Sequence, residues 1–244
     1  MKKIILFALC AMIMLSVSGC VVAGFSNVNA VSGRGNLEKY EFRVGDYTGI
    51  RIEGFCNINY HAAPSNTVTL EVQPNLREYF VVEVVGGDLV VRTTRRVNVS
   101  SGRTPVLTVS TPTLNRLSIE GAGTFTAHDK ITADSFDLSL LGAVSGKAEL
   151  DVRNFYIDMS GAGRFELSGV ADTADIRTAG AGELNALSLQ TRTATINFSG
   201  VGSAKISCSE NLSIDANGTG SVEYRGSPHI NLRQSGFVSI KQVN

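Results

Sequence analysis

Three stretches decide the fold: Phe155-Tyr-Ile-Asp-Met-Ser-Gly-Ala-Gly163, Ala174-Asp-Ile-Arg-Thr-Ala-Gly-Ala-Gly182 and Ala194-Thr-Ile-Asn-Phe-Ser-Gly-Val-Gly202. Each is a run of alternating residues closed by Gly-x-Gly, and the pattern recurs from about Leu117 to Ile240. The glycine pairs are Gly121 with Gly123, Gly161 with Gly163, Gly180 with Gly182, Gly200 with Gly202 and Gly218 with Gly220. Gly142 and Gly236 stand where two further pairs would fall. First glycines lie 18 to 21 residues apart, a period that points to stacked repeats. Four residues before each first glycine stand Leu117, Leu138, Ile157, Ile176, Ile196, Ile214 and Leu232, all large aliphatics. The positions between are mostly polar, as in Asp137, Ser139, Tyr156, Asp158, Asp175, Arg177, Asn197, Asp215 and Arg233. Period-two alternation makes each segment a strand with one buried face. A second alternating strand follows each glycine pair, with inward residues read as Phe125/Ala127, Ala148/Leu150, Phe165/Leu167, Leu184/Ala186, Ala204/Ile206, Val222/Tyr224 and Val238/Ile240.

A coil of twenty residues cannot bury its apolar face alone, but stacked coils can. The expected fold is therefore all-β: a right-handed β-helix of about seven coils, about 20 residues each, capped by an N-terminal β-hairpin region. The hand follows the rule for parallel crossovers. Gly121, Gly123, Gly142, Gly161, Gly163, Gly180, Gly182, Gly200, Gly202, Gly218 and Gly220 are read as turn residues at the coil corners, where a positive φ or lack of room for Cβ requires glycine.

Working outward, residues 1–19 read as a targeting segment: Lys2 and Lys3, then an apolar run from Ile4 to Val17, ending Val17-Ser18-Gly19-Cys20. This resembles the bacterial lipoprotein signal, in which Cys20 becomes the lipidated first residue; an ordinary secretory signal is the plainer alternative. Two or three acyl chains anchor stably. The expected place is the bacterial cell envelope, and Val21 in place of Asp favours the outer membrane. Residues 20–39 read as lipidated cysteine and flexible tether. The domain follows over 40–244, with strands and a cap over 40–100 that lack the repeat, and coils over 101–244. Phe80–Val85, Gly86-Gly87 and Leu89–Arg92 read as a hairpin. The stretch Arg92–Arg103 reads as a solvated loop or a site for acidic partners.

The stretch Tyr47-Thr-Gly-Ile50-Arg-Ile52-Glu-Gly54-Phe-Cys56-Asn-Ile58-Asn-Tyr60 resembles the opening motif of the head GIN domain family of auto-transporter adhesins. The Thr/Val-rich strand Thr67–Val72, the Gly87-Asp88-Leu89-Val90 hairpin and the later Gly-x-Gly repeats are similar too. The resemblance covers roughly residues 40–240. It implies a pectin-lyase-like β-helix, no conserved catalytic set and a role in cell adhesion. Cys56 stands where a larger apolar residue is usual, and Ser235-Gly236-Phe237 has lost one glycine.

The charge is balanced, 22 basic against 22 acidic residues, so nothing marks a nucleic-acid partner. Each glycine pair leads into a strand rather than a helix, unlike a dinucleotide fingerprint. His61, His128 and His229 match no metal-ligand spacing, the β-roll calcium motif is missing, and no residue set asks for a cofactor. Asp134, Asp151 and Asp172 read as solvated corner residues. Cys56 and Cys208 read as buried thiols, although the compartment would permit a disulfide. The best candidate for an interaction face is the outward set Asp137, Tyr156, Asp158, Arg177 and Asn197. The expected role is a non-enzymatic adhesion or interaction module for a protein or glycan ligand; the alternative is a carbohydrate-active β-helix, and a third is an envelope scaffold. The C-terminal edge near Val238–Val243 could pair with a second copy, or Lys241 could blunt it.

Overall fold

The computed structural model describes residues 29–94, 97–100 and 102–244. The N-terminal part holds β1 (Asn29–Ser32), β2 (Glu38–Phe42), β3 (Gly49–Phe55), β4 (Asn57–Ala62), β5 (Thr67–Val72), a 3-10 turn (Pro74–Tyr79), β6 (Phe80–Val85), β7 (Asp88–Thr93), β8 (Val97–Ser100) and β9 (Val106–Thr111). The coils follow as β10 (Arg116–Ala127), β11 (Ile131–Met159), β12 (Ala162–Thr178), β13 (Ala181–Phe198), β14 (Val201–Ala216), β15 (Thr219–Arg225), β16 (His229–Gln234) and β17 (Phe237–Gln242). Together they form a β-solenoid of about six turns, one fewer than the repeat count suggested, at about 20 residues per turn.

Stacking is parallel and in register. Leu117 sits beside Leu138, and Ile157, Ile176, Ile196 and Ile214 follow one another on successive rungs. All are at most 3% exposed. Fully burying such a side chain stabilises by about 1.5–3 kcal/mol, and each strand supplies two or three. Large rings recur along the axis: Phe136 stacks on Phe155 at 6.2 Å between centroids. Phe125 stacks on Phe165 at 6.3 Å although they lie two coils apart. Gly146 is the rung between them, and its missing side chain lets the rings meet. This corrects the sequence alignment by two residues: Gly146, not Ala148, is equivalent to Phe165, and Ala148 stands beside Leu167.

The Gly-x-Gly corner is a column of close backbone contact. A Cβ on Gly180 would overlap the carbonyl oxygen of Gly161, and the same holds from coil to coil. Gly180 has no positive φ; close approach alone requires glycine there. At Gly163 the requirement is double, since φ is +142° and a Cβ would strike the Val144 carbonyl. The ladder continues around the corner: the Ala181 amide donates to the Gly161 oxygen at 2.9 Å and the Val201 amide to the Gly180 oxygen at 2.9 Å.

That continuity corrects the reading of these glycines as turn residues. Of the set, Gly161, Gly180, Gly200 and Gly218 do fall between strands. Gly121 and Gly123 lie inside β10, Gly142 inside β11, and Gly163, Gly182, Gly202 and Gly220 inside β12, β13, β14 and β15. The chain bends there without leaving the sheet, because each such glycine keeps its partner on the next rung: Gly123 beside Val144, and Gly202 beside Gly220. Gly123 and Gly220 are thus strand residues at a bend. A side chain is excluded twice over: φ is +153° at Gly123 and +147° at Gly220, and a Cβ would overlap the carbonyl oxygen of Cys56 at Gly123 and that of Gly202 at Gly220.

The N-terminal region departs from the sequence reading. β3 and β4 carry the repeat: Ile50, Ile52 and Gly54 pair with Leu117, Ile119 and Gly121. Beyond them β7 pairs with β3 and β9 with β4, both parallel. Antiparallel β6 and β5 then cover β7 and β9, with β2 outside β5. The hairpin turn Gly86-Gly87 has φ of 62° and 86°, which two glycines allow freely. Strand pairing also reaches segments read as loop. β1 lies within the stretch read as tether and pairs with β8, which lies within the stretch read as an arginine-rich loop. Their alternation is too short to stand out in sequence. The targeting segment and Cys20 lie outside the described residues.

Candidate interaction surfaces

A groove of about 1020 Å³ runs along the solenoid axis. One wall is the outward column Asp151, Val170, Gln190 and Ser207, which are successive rungs. The other is Asp134, Arg153, Asp172 and Arg192. Between them run Val152, Ala171, Thr191 and Cys208, whose side chains are buried in the core.

The charged wall alternates in sign and is paired along itself. Arg153 bonds the carboxylate of Asp134, and Arg192 meets Glu210 at 3.1 Å. The hydrogen bond to Asp134, then its charge, with a smaller contribution from Asp172, raises the affinity of the Arg153 guanidinium for its proton. Exposed pairs like these add little to stability. They do fix where each charged group sits. Other faces use the same device: Arg164–Glu183 at 2.7 Å, Lys205–Glu223 at 3.2 Å and Lys130–Glu149 at 3.1 Å each link one coil to the next.

The face singled out from sequence is partly assembled. Asp137, Tyr156, Asp158 and Arg177 line one cavity of about 230 Å³, joined by Asp175. Asn197 is the next rung beyond Arg177 and lies outside that lining. Tyr156 is 47% exposed, a half-free ring amid three carboxylates. The column Asp158, Arg177, Asn197, Asp215, Arg233 is continuous in register.

Nearer the capped end, Asp88 is buried and receives Arg51 at 2.8 Å and Arg116 at 3.1 Å. It occupies the space that a side chain at Gly49 would need. His61 and His128, distant in sequence, stack at 4.7 Å with rings 6° apart; His61 contacts Asp129 at 3.3 Å and His128 contacts Asn59 at 3.1 Å. Parallel rings point their nitrogens sideways rather than at a common point. Among the described residues no group of three or more His, Cys, Asp or Glu side chains could hold a metal ion. Cys56 and Cys208 are both buried and unbridged. Burial pushes the Cys56 thiol up to about 12, so it stays protonated and unreactive at neutral pH.

The groove was missed in the sequence, where Asp134 and Asp172 read as scattered. The usable signal was alternation of sign at the coil period: Asp134, Arg153, Asp172, Arg192, Glu210.

A family model described as "Putative auto-transporter adhesin, head GIN domain" matches residues 46–228. The chain belongs to this family. Several solved structures share the head GIN domain's fold. A Bacteroides fragilis protein described as a "putative adhesin" is 23% identical, with a TM-score of 0.84, covering 87% of this chain and 100% of its own. A Parabacteroides merdae protein of the same description is 19% identical, with a TM-score of 0.64, over 88% and 100%. A Parabacteroides distasonis protein described as a "putative lipid binding protein" is 22% identical, with a TM-score of 0.65, over 88% and 100%. At such identities the likeness shows the fold. No curated protein matches the chain. The family is adhesin-like, which fits a cell-surface or envelope protein. Among the described residues no helix is long and apolar enough to cross a membrane.

Proposed function

We propose that this head GIN domain is a non-catalytic interaction module, held at the bacterial envelope by a lipid on Cys20, that binds an extended protein or glycan along its axial groove. The observation carrying this reading is the groove itself. Its walls repeat similar backbone geometry on successive coils, so they offer a regular row of contacts to a linear partner. Arg153 and Arg192 on one wall are held by carboxylates of neighbouring coils, which leaves positioned donors along the groove. The outer membrane and an outward orientation complete the reading, since an adhesin must reach its ligand.

A second reading, a carbohydrate-active solenoid, draws on Tyr156 with Asp137, Asp158 and Asp175 around one cavity. A ring beside carboxylates is an arrangement that holds sugars by stacking and by hydroxyl hydrogen bonds.

The test pairs two measurements on cells carrying the full chain. Protease shaving, with a periplasmic protein as integrity control, should digest the domain while sparing the control. Adhesion of the cells to immobilised glycans and matrix proteins should fall at least about tenfold with Arg153→Glu plus Arg192→Glu, a change of about 1.4 kcal/mol or more, with surface level unchanged. A domain protected until the envelope is opened, or adhesion equal to wild type in the double variant, refutes the reading.

A further inference from the structure

The two ends of the solenoid differ. At the N-terminal end, antiparallel strands and the 3-10 turn close the core, and Leu76 and Phe80 are buried there. At the C-terminal end the last coil continues the core columns, yet it leaves them open. Leu212 and Ile214 are each 1% exposed, while their next-rung equivalents Ile230 and Leu232 are 36% and 46% exposed. Phe237, beside the Gly236 corner, is 90% exposed. β16 pairs only with β14, and β17 only with β15. Two adjacent strand edges therefore face outward next to apolar side chains; among their backbone groups the Val238 oxygen accepts from Gln234 Nε2 at 2.6 Å, a side-chain contact that an added strand would replace. Such an edge is a template for strand addition.

We infer that a second copy of this chain covers this end, tail to tail, about a twofold axis through the Gly236 corner. A twofold axis perpendicular to the solenoid reverses the sense of the coil. β16 of one copy then runs antiparallel to β17 of the other, and β17 to β16, so both ladders form at once. Residues paired across a ladder must point to the same side. Centring the register on Gly236 meets that condition: Leu232 faces Ile240 and Gln234 faces Val238, all inward. Outward, Arg233 faces Ser239 and Asn231 faces Lys241. No like charges oppose each other, which a copy-to-copy contact must satisfy. Within each copy Arg233 lies one rung beyond Asp215 and Lys241 one rung beyond Glu223. Phe237 of each copy lies beside the axis, which accounts for a phenyl ring left open in the single chain. The contact is isologous and closes at two copies. It leaves the groove free, and it stands independently of the groove reading.

The full-length protein, solubilised in detergent, is examined by sedimentation equilibrium. The expected mass is twice that of the chain; Leu232→Lys and Phe237→Lys should each give single chains, and Val85→Lys, at the exposed tip of the capped end, should leave the pair intact. Thermal melts of the variants report on folding. In membranes, Phe237→Cys treated with a short bis-maleimide should give a doubled band on a denaturing gel, and Val85→Cys should not; this readout stands even if a lysine variant misfolds. A wild-type chain that stays single at all concentrations overturns the inference and assigns the edge to another partner strand. Assembly beyond two copies, or pairs that survive both lysine variants without a Phe237→Cys cross-link, overturns it as well.

Discussion

The glycine corner yields a prediction whose sign depends on position alone. In Gly180→Ala the new Cβ would overlap the carbonyl oxygen of Gly161, and it would also crowd the backbone carbon and nitrogen of that residue. These atoms belong to a hydrogen-bonded rung: the Gly161 oxygen accepts from Ala181 and the Gly180 oxygen from Val201. No side chain can swing aside, so coils must separate at the corner while the ladder and core columns hold them together. Overpacking of this kind costs about 1–3 kcal/mol, and a rigid backbone obstacle places it toward the upper end, about 2–3 kcal/mol. Gly45 is the matched control. It has no positive φ, and a Cβ there meets nothing within 4 Å. Gly45→Ala then acts only on the unfolded chain and stabilises by about 0.4–1 kcal/mol. A domain of this size shifts by about 2–4 °C per kcal/mol. Calorimetry of the two variants should show Gly180→Ala melting about 4–12 °C lower than wild type and Gly45→Ala slightly higher. A Gly180→Ala protein that melts at or above the wild-type temperature would refute the close-contact account of the corner.

Two further predictions concern buried ionisable groups. Asp88→Ala removes the carboxylate that Arg51 and Arg116 share; with both guanidinium groups about half exposed, the loss should be about 1–3 kcal/mol, read as a lower urea midpoint, and an unchanged midpoint would contradict a structural role. Burial pushes the Cys56 thiol and the Tyr60 phenol each up to about 12, and raises Tyr47 further. Raised values favour the protonated forms in the fold, so the stabilisation is complete below about pH 9 and is lost as pH climbs toward 12. At about pH 10.5, Cys56 alone forfeits about 2 kcal/mol. Urea midpoints should therefore fall between pH 8 and 10.5, and less steeply in Cys56→Ala; a flat profile would exclude the effect.

Much of the solenoid was legible because burial is periodic. The aliphatic column from Leu117 to Ile214 repeats at the coil length with no exceptions, and one register follows from it. What failed was local. Gly146 broke the second-strand pattern, because a ring from each neighbouring coil fills its place and only three-dimensional stacking shows that. Gly123 and Gly220 read as turns because glycine pairs punctuate most chains, whereas here the ladder runs on through them. The first coil, Ile50 to Tyr60, went unread as a coil because some fifty residues of cap separate it from β10. In space β10 returns directly to its side, so sequence neighbours here are not spatial neighbours. The two histidines meet for the same reason: His61 lies in the last two residues of β4, and His128 follows β10 on the adjoining rung. The face around Tyr156 was found because its residues stand in the repeat itself. The groove was not, because its charged wall stands at a bend within β11, β12, β13 and β14, where strict alternation of buried and exposed residues lapses.

The charge pattern bears on how such a domain can recognise anything. Parallel in-register stacking places equivalent residues about 4.8 Å apart. A column of identical charges would therefore repel at every rung, and a repeat protein cannot keep one charged residue at a fixed outward position. The chain answers by alternating sign along Asp134, Arg153, Asp172, Arg192 and Glu210. Along Asp158, Arg177, Asn197, Asp215 and Arg233 it breaks the run with an amide on β13. Lys147, Glu166, Asn185, Lys205, Glu223 and Lys241 follow the same rule on another face, with their amide also on β13. These three columns keep like charges off adjacent rungs, although Glu53 stands beside Glu120 on the first coil; with 22 basic against 22 acidic residues in the chain, the long-range field that steers charged partners is weak. Recognition is left to short-range matching, in which a linear ligand meets donors and acceptors whose sign reverses every rung. The last coil ends two of these columns on the cations Arg233 and Lys241. In the inferred pair they face Ser239 and Asn231 rather than each other, so the apolar edge at Leu232, Ile240 and Phe237 meets its copy without like charges directly opposed.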